Sequence, residues 1–220
     1  FLSYRATESA SWMVSARFGA LYDPNSSHDR RLDVEARVGS HELDSTHQIR
    51  GRPEFGATPS SAALPLEDDE AAIRAEAWLV TDRAYKAALE RFLKVKTNEA
   101  VKVEAEDRSA DFAVAEPSQY FEPPVTLQID RAAWAERLRL LSAEFRNDPT
   151  VLDASITLTG EAENRFYTSS EHTRLTFGHT QFRIMIEAST KADDGMNLEL
   201  NESFESPDAE HLPSDAELRE

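Results

Sequence analysis

The 220-residue chain contains no cysteine. That excludes disulfides, thiolate metal ligands and a cysteine nucleophile together, and leaves the redox compartment open. No run approaches the about twenty consecutive apolar residues that a membrane helix needs. Positive charge is scarce: 24 Lys and Arg stand against 41 Asp and Glu, a formal net charge of −17. Such a surface repels nucleic acid and anionic membranes, so neither is expected as a partner. There is no Walker loop, no G-x-G-x-x-G and no G-x-S-x-G. Nothing therefore points to a phosphate cradle, a dinucleotide site or a serine elbow.

What is present is enough for a core. Hydrophobic residues make up 40% and charged residues 30%, a folded chain on the polar side of average. In "SWMVSARFGALY", Trp12, Val14, Ala16, Phe18 and Ala20 alternate onto one face. "DPNSSHD" (23–29) is dense in turn formers and predicts a turn. In "RLDVEARVGSHEL", Leu32, Val34, Ala36 and Val38 alternate with Asp33, Glu35 and Arg37, so a meander with one wet face is expected. A Pro, Gly and Ser-rich loop covers 50–65. "LEDDEAAIRAEAWLVTDRAYKAALERFLKVK" predicts a long helix, acidic at its start and closed by Lys94 and Lys96, with Ile73, Ala77, Val80, Ala84 and Ala88 at helical spacing. Residues 97–124 read as an acidic, Pro-containing linker. Tyr120 and Phe121 in it suit either an anchor to the domain or a partner contact. A strand is expected over 125–129 and a second helix after Asp130 as N-cap, with Trp134, Leu138, Leu141 and Phe145 as its stripe. Trp12, Trp78 and Trp134 all fall on apolar stripes and are expected in the core. From 151 onward come antiparallel strands, with hairpin tips near Ser169–His172 and at Ala192–Gly195. Ser214–Glu217 is a capping box.

The fold class implied is α+β: largely antiparallel sheet with two main helices on one face, in the order strands, helix, linker, helix, strands. The partition expected is 1–96 (β-meander plus long helix), 97–124 (linker), 125–213 (helix plus strands) and 214–220, with a single domain throughout as the other partition. Phe1 stands inside an alternating segment, which reads as loss of an upstream segment. A helix starting at 214 reads as truncation.

One stretch invites a metal reading: "HELDSTH", with His41, Glu42 and His47, in a chain of six histidines. A zinc hydrolase on H-E-x-x-H sets two imidazoles one helical turn apart. Here the spacing is H-E-x-x-x-x-H. On a helix the second imidazole turns about 240° away. On a strand the pair share a face at a separation of about 20 Å. Polar residues at a strand end are the reading these geometries favour. The remaining histidines are scattered, "EDDE" (67–70) suits a helix first turn and "ADDG" (192–195) a turn, so no catalytic, cofactor or metal residue is assigned.

The stretches "FLSYRATESASWMVSARFGAL", "RRLDVEARVGSHELDSTH", the long-helix segment, "EPPVTLQIDRAAWAERLRLLSAEFRN", "NRFYTSSEHTRLTF" and "ASTKADDGM" together resemble the N-terminal region of the TldD/PmbA family, in its TldD-related, modulator-of-DNA-gyrase-like branch. The resemblance covers nearly the whole chain in order. It implies a non-catalytic N-terminal portion of a zinc metallopeptidase, a hydrolase, helping to wall a substrate chamber and make oligomer contacts. Zinc is implied only for a downstream H-E-x-x-x-H motif, which these residues do not contain. The partners it implies are the rest of the polypeptide, a homo- or hetero-oligomer and a peptide substrate, in either a cytoplasmic or an exported protein. The family hairpin often reads Asn-Ser-Glu-Gly. His172 replaces the glycine here, which puts the tight turn in question. A stand-alone acidic interaction module with no enzymatic activity is the other reading.

Overall fold

The computed structural model describes residues 1–49, 60–101 and 109–219. The fold is α+β. Seven strands form a largely antiparallel sheet: β1 (Leu2–Arg17), β2 (Ala20–Ala36), β3 (Ser60–Ala63), β4 (Gln119–Phe121), β5 (Asp153–Ser169), β6 (Arg174–Lys191) and β7 (Asn197–Ser206). The helices are α1 (Glu70–Val101) and α2 (Arg131–Ala143). Strand order is β3-β2-β1-β5-β6-β4, with β7 also on β6. β4 runs parallel to β6, with Tyr120 opposite Leu175.

The chain divides into two compact units that interleave along the sequence. One comprises Phe1–Glu8, Asp29–Pro123 and Arg165–Phe177, the other Ser9–His28, Pro124–Asn164 and Gly178–Glu220. The units are thus not the consecutive blocks 1–96 and 125–213. The physical reason lies in the strands: at about 3.3 Å per residue, the 16 to 18 residues of β1, β2, β5 and β6 outrun a single core.

In the first unit α1 packs against β3 and on Leu32, Val34 and Ala36 through Val80, Ala84 and Ala88, with Leu2, Tyr4 and Ala6 beside them. Alanines let the helix approach closely. Asp69 caps it, its carboxylate accepting from the N–H groups of Ala71 (2.9 Å) and Ala72 (3.2 Å). The helix runs five residues into the expected linker, so Lys94 and Lys96 lie inside it and its last turn carries no basic residue. Trp78, expected in the core, is 66% exposed. Its spacing from Val80 turns it off the buried face.

In the second unit Trp12, Val14, Ala16, Ile156, Leu158, Phe182 and Ile184 receive Leu138 and Leu141 of α2, with Trp134 and Phe145 partly buried beside them. Asp130 caps α2, accepting from Ala133 N–H at 3.0 Å. The turn expected at 23–29 is strand; β2 runs through it, and Pro24 lies where β2 has no β3 pairing. The actual turn is Phe18-Gly19, with φ of 45° and 74°. Two central residues at positive φ match the twist of a two-residue hairpin. Glycine suits this φ, and a Cβ at Gly19 would crowd Ala143 Cβ at 3.0 Å.

No strand forms over 125–129. Instead Val125 is clamped by the amide of Asn164, which accepts from its N–H (2.7 Å) and donates to its C=O (2.8 Å). Gly178 leaves room for this: a Cβ there would lie 2.3 Å from Asn164 Oδ1. The two distal turns form as expected. His172 adopts φ 67°, and its N–H donates to Ser169 O at 3.1 Å. Gly195 adopts φ 85° in the β6–β7 turn.

Candidate functional site

The polar constellation of the first unit gathers around the segment His41–His47. The segment is not extended. Gly39, at φ 130°, starts a bend closed by a bridge to Asp44, and Ser45 N–H donates to Val38 O at 2.9 Å. The backbone assumed in placing the two imidazoles about 20 Å apart is therefore corrected to a tight loop. Asp44 is almost fully buried; its carboxylate accepts from the Thr46 N–H (2.5 Å) and hydroxyl (2.6 Å) and lies 3.6 Å from Arg37. That side-chain turn bends the chain toward His47.

The imidazoles nevertheless go separate ways. His41 Nε2 meets Glu171 Oε1 at 2.8 Å, and its ring stacks on Phe112 at 5.3 Å. His47 Nδ1 meets Asp111 Oδ1 at 2.6 Å, and its Nε2 lies 3.6 Å from Glu99. Asp111 also accepts from the Asp44 N–H at 2.9 Å. Arg91 of α1 donates to Ser45 O at 2.5 Å, and Arg37 lies over the Phe112 ring at 4.4 Å. Glu42 is exposed. Sequence reasoning found the two histidines but not Asp111, Glu99, Glu171 or Arg37. No spacing rule links residues 64 or 130 positions apart.

A general base needs a ring nitrogen open to substrate. Both nitrogens of His47 face carboxylates, and the buried Ser45 hydroxyl accepts from Val38 N–H at 3.3 Å. The cluster is chemically a brace, tying the loop to α1 and to the segment at 111. Among the described residues no group of three or more His, Asp or Glu side chains is placed to hold a metal ion. The residues of this cluster do not fit a zinc ion.

The second unit carries an open depression of about 850 Å³ lined by Ile129, Trp134, Arg137, Leu212 and Pro213 among others. Arg137 is committed: it donates to Asp215 (2.5 Å) and Pro213 O (2.6 Å) and lies 4.4 Å over the Trp134 ring. Asp130, His211 and Glu217 also line it, with His211 Nδ1 3.3 Å from Asp208 Oδ2. Tyr120 and Phe121 are exposed on β4. The Tyr120 hydroxyl donates to Glu122, which raises its pKa. No described helix is long and apolar enough to cross a membrane.

No family model and no curated protein matches the sequence. Solved structures do. One, a candidate modulator of a DNA gyrase from Thermotoga maritima, aligns with a TM-score of 0.51 at 8% identity over 99% of this chain and 41% of that one. A candidate modulator of DNA gyrase from Bacteroides thetaiotaomicron gives 0.51 at 11% identity, over 96% and 42%. TldE from Thermococcus kodakarensis gives 0.48 at 9%, over 94% and 40%. The fold is of the TldD/PmbA type. The chain spans about two fifths of the length of the structures it resembles.

Proposed function

We propose that the chain serves as a non-catalytic N-terminal portion of a TldD/PmbA-like zinc metallopeptidase, contributing wall to a substrate chamber and contacts to an oligomer. The observation that carries this reading is the fold likeness over 99% of this chain but only 41% of the matched one. The braced state of His41 and His47 is in keeping with it: the polar cluster of the first unit is spent on holding a loop. In this reading the zinc and the attacking water belong to an H-E-x-x-x-H segment downstream, and the peptide substrate is met by the whole protein.

The test is the natural reading frame, followed by metal analysis. An H-E-x-x-x-H motif after Glu220, with zinc found in the longer protein and none bound stoichiometrically by residues 1–220, is the expected result. A frame lacking the motif, or tight one-to-one zinc binding by the 220 residues alone, would sink the proposal. The net charge of −17 favours a second reading, an acidic interaction module that meets a basic partner without any peptidase. A reading frame that ends near Glu220 selects that one.

A further inference from the structure

The open depression on the second unit, about 850 Å³ in volume, has an apolar floor and an acidic rim. Ile129, Trp134 and Leu212 form the floor, and all three belong to the core of that unit or pack against it. The first turns of α2 stand on one side and residues 209–217 on the other. A concave apolar surface of this volume falls within the about 300–1,000 Å³ of ligand sites.

Charge decides what such a floor can accept. Three carboxylates line the depression, those of Asp130, Glu210 and Glu217. Each keeps an oxygen without a donor among the described residues. Glu210 makes no polar contact there at all. Glu217 uses only Oε2, for the Ser214 N–H and hydroxyl. Asp130 uses only Oδ1, for the Ala133 N–H, and its charge answers the positive end of α2. The cations at the depression are turned elsewhere. Arg137 donates to Asp215 and to Pro213 O and covers one face of the Trp134 ring, and His211 meets Asp208. An anion brought here would be repelled. A neutral apolar ligand would strip water from the carboxylates and give nothing back. A ligand with an apolar body and positive groups beside it meets both demands.

We infer that this depression docks a basic, apolar peptide segment, with aliphatic side chains on the floor of Ile129, Trp134 and Leu212 and Lys or Arg on either side facing the carboxylates. The occupant is a segment and not one residue, because an open cavity of this volume exceeds a single side chain. The inference goes beyond the proposed function: it needs no downstream zinc motif and no particular length of reading frame.

The test is a nuclear magnetic resonance titration of the 220-residue chain with the acetylated, amidated peptide Lys-Leu-Leu-Lys. Amides of 129–134 and 209–217 should shift and saturate with a dissociation constant of about 1 mM or below at low salt, weakening as salt is raised. Glu-Leu-Leu-Glu should leave the spectrum unchanged, and Lys-Gly-Gly-Lys should bind at least about tenfold more weakly. Glu210→Lys should weaken Lys-Leu-Leu-Lys about threefold or more, and the residue is exposed, so the fold should be kept. Ala133→Arg, also at an exposed position, should obstruct the depression and serves if the first variant folds poorly. No saturable shift up to about 10 mM peptide, shifts centred elsewhere, equal binding of Lys-Gly-Gly-Lys, or indifference to both variants would overturn the inference. None of these results alters which motif follows Glu220, so the two proposals fail separately.

Discussion

The two compact units lay a helix on antiparallel strands with different materials. Around α2 the contact is made of large side chains: Leu138 and Leu141 against Trp12, Ile156, Leu158 and Phe182. Around α1 it is made of small ones: Ala84, Ala88 and Val80 against Val34 and Ala36. Large side chains hold a helix by filling volume, whereas alanines hold it by letting backbones come close. The first unit compensates for its thin apolar layer with polar ties: Arg91 to Ser45 O, His47 to Asp111, and Thr81 to Tyr4 at 3.1 Å. The two should therefore fail in opposite ways.

The largest effect is expected from Leu138→Ala. It removes a fully buried side chain from a core with little freedom to collapse, and should cost about 3 kcal/mol in denaturant unfolding. The opposite change, Ala84→Leu, should cost about 1–3 kcal/mol by overpacking the α1 contact, with the loss visible in hydrogen exchange of α1. If Ala84→Leu is harmless while Val80→Ala is severe, the first unit is held by volume after all. Smaller again is Asp111→Ala, which leaves the Asp44 N–H and His47 Nδ1 without their acceptor and should cost about 1–2 kcal/mol. Nuclear magnetic resonance should then show the loop 40–47 loosened and α2 unmoved.

The smallest effect is a pH dependence at the end of the second unit. Glu217 accepts from the Ser214 N–H (2.8 Å) and hydroxyl (2.8 Å), which lowers its pKa below the ordinary carboxylate value. A lowered folded-state pKa means its contribution is present above the ordinary value and is lost as pH falls through the lowered one. Amide shifts at 214–219 should report that loss between the two values. Glu217→Gln should abolish it, and a titration midpoint above the ordinary carboxylate value would contradict the capping box.

Much of this division was open to reading in the residues. The stripe Trp134, Leu138, Leu141, Phe145 and the cap Asp130 were legible because one helical face meets one core, so period and burial coincide. The distal turns at 169–172 and 192–195 were legible from polar residues between alternating runs. The turn at 18–19 was not, because Phe18 extends the apolar alternation while the polar run 23–29 imitates a turn. Trp78 misled for the same kind of reason: large apolar residues stand on more than one side of α1, and composition does not say which side faces the strands. The bend at His41–His47 depends on Asp44 closing on its own backbone and on Asp111, 67 residues away. Contacts at that range leave no local pattern.

The clamp on Val125 has a consequence for the order of assembly. A side-chain amide there imitates the hydrogen bonding of a neighbouring strand residue, but its owner, Asn164, lies 39 residues further on. This clamp therefore cannot close until β5 has been synthesised and laid down, and closing that loop must precede any gain from the contact. On an emerging polypeptide the clamp at Val125 is completed only once Asn164 has arrived and Gly178 has left it space.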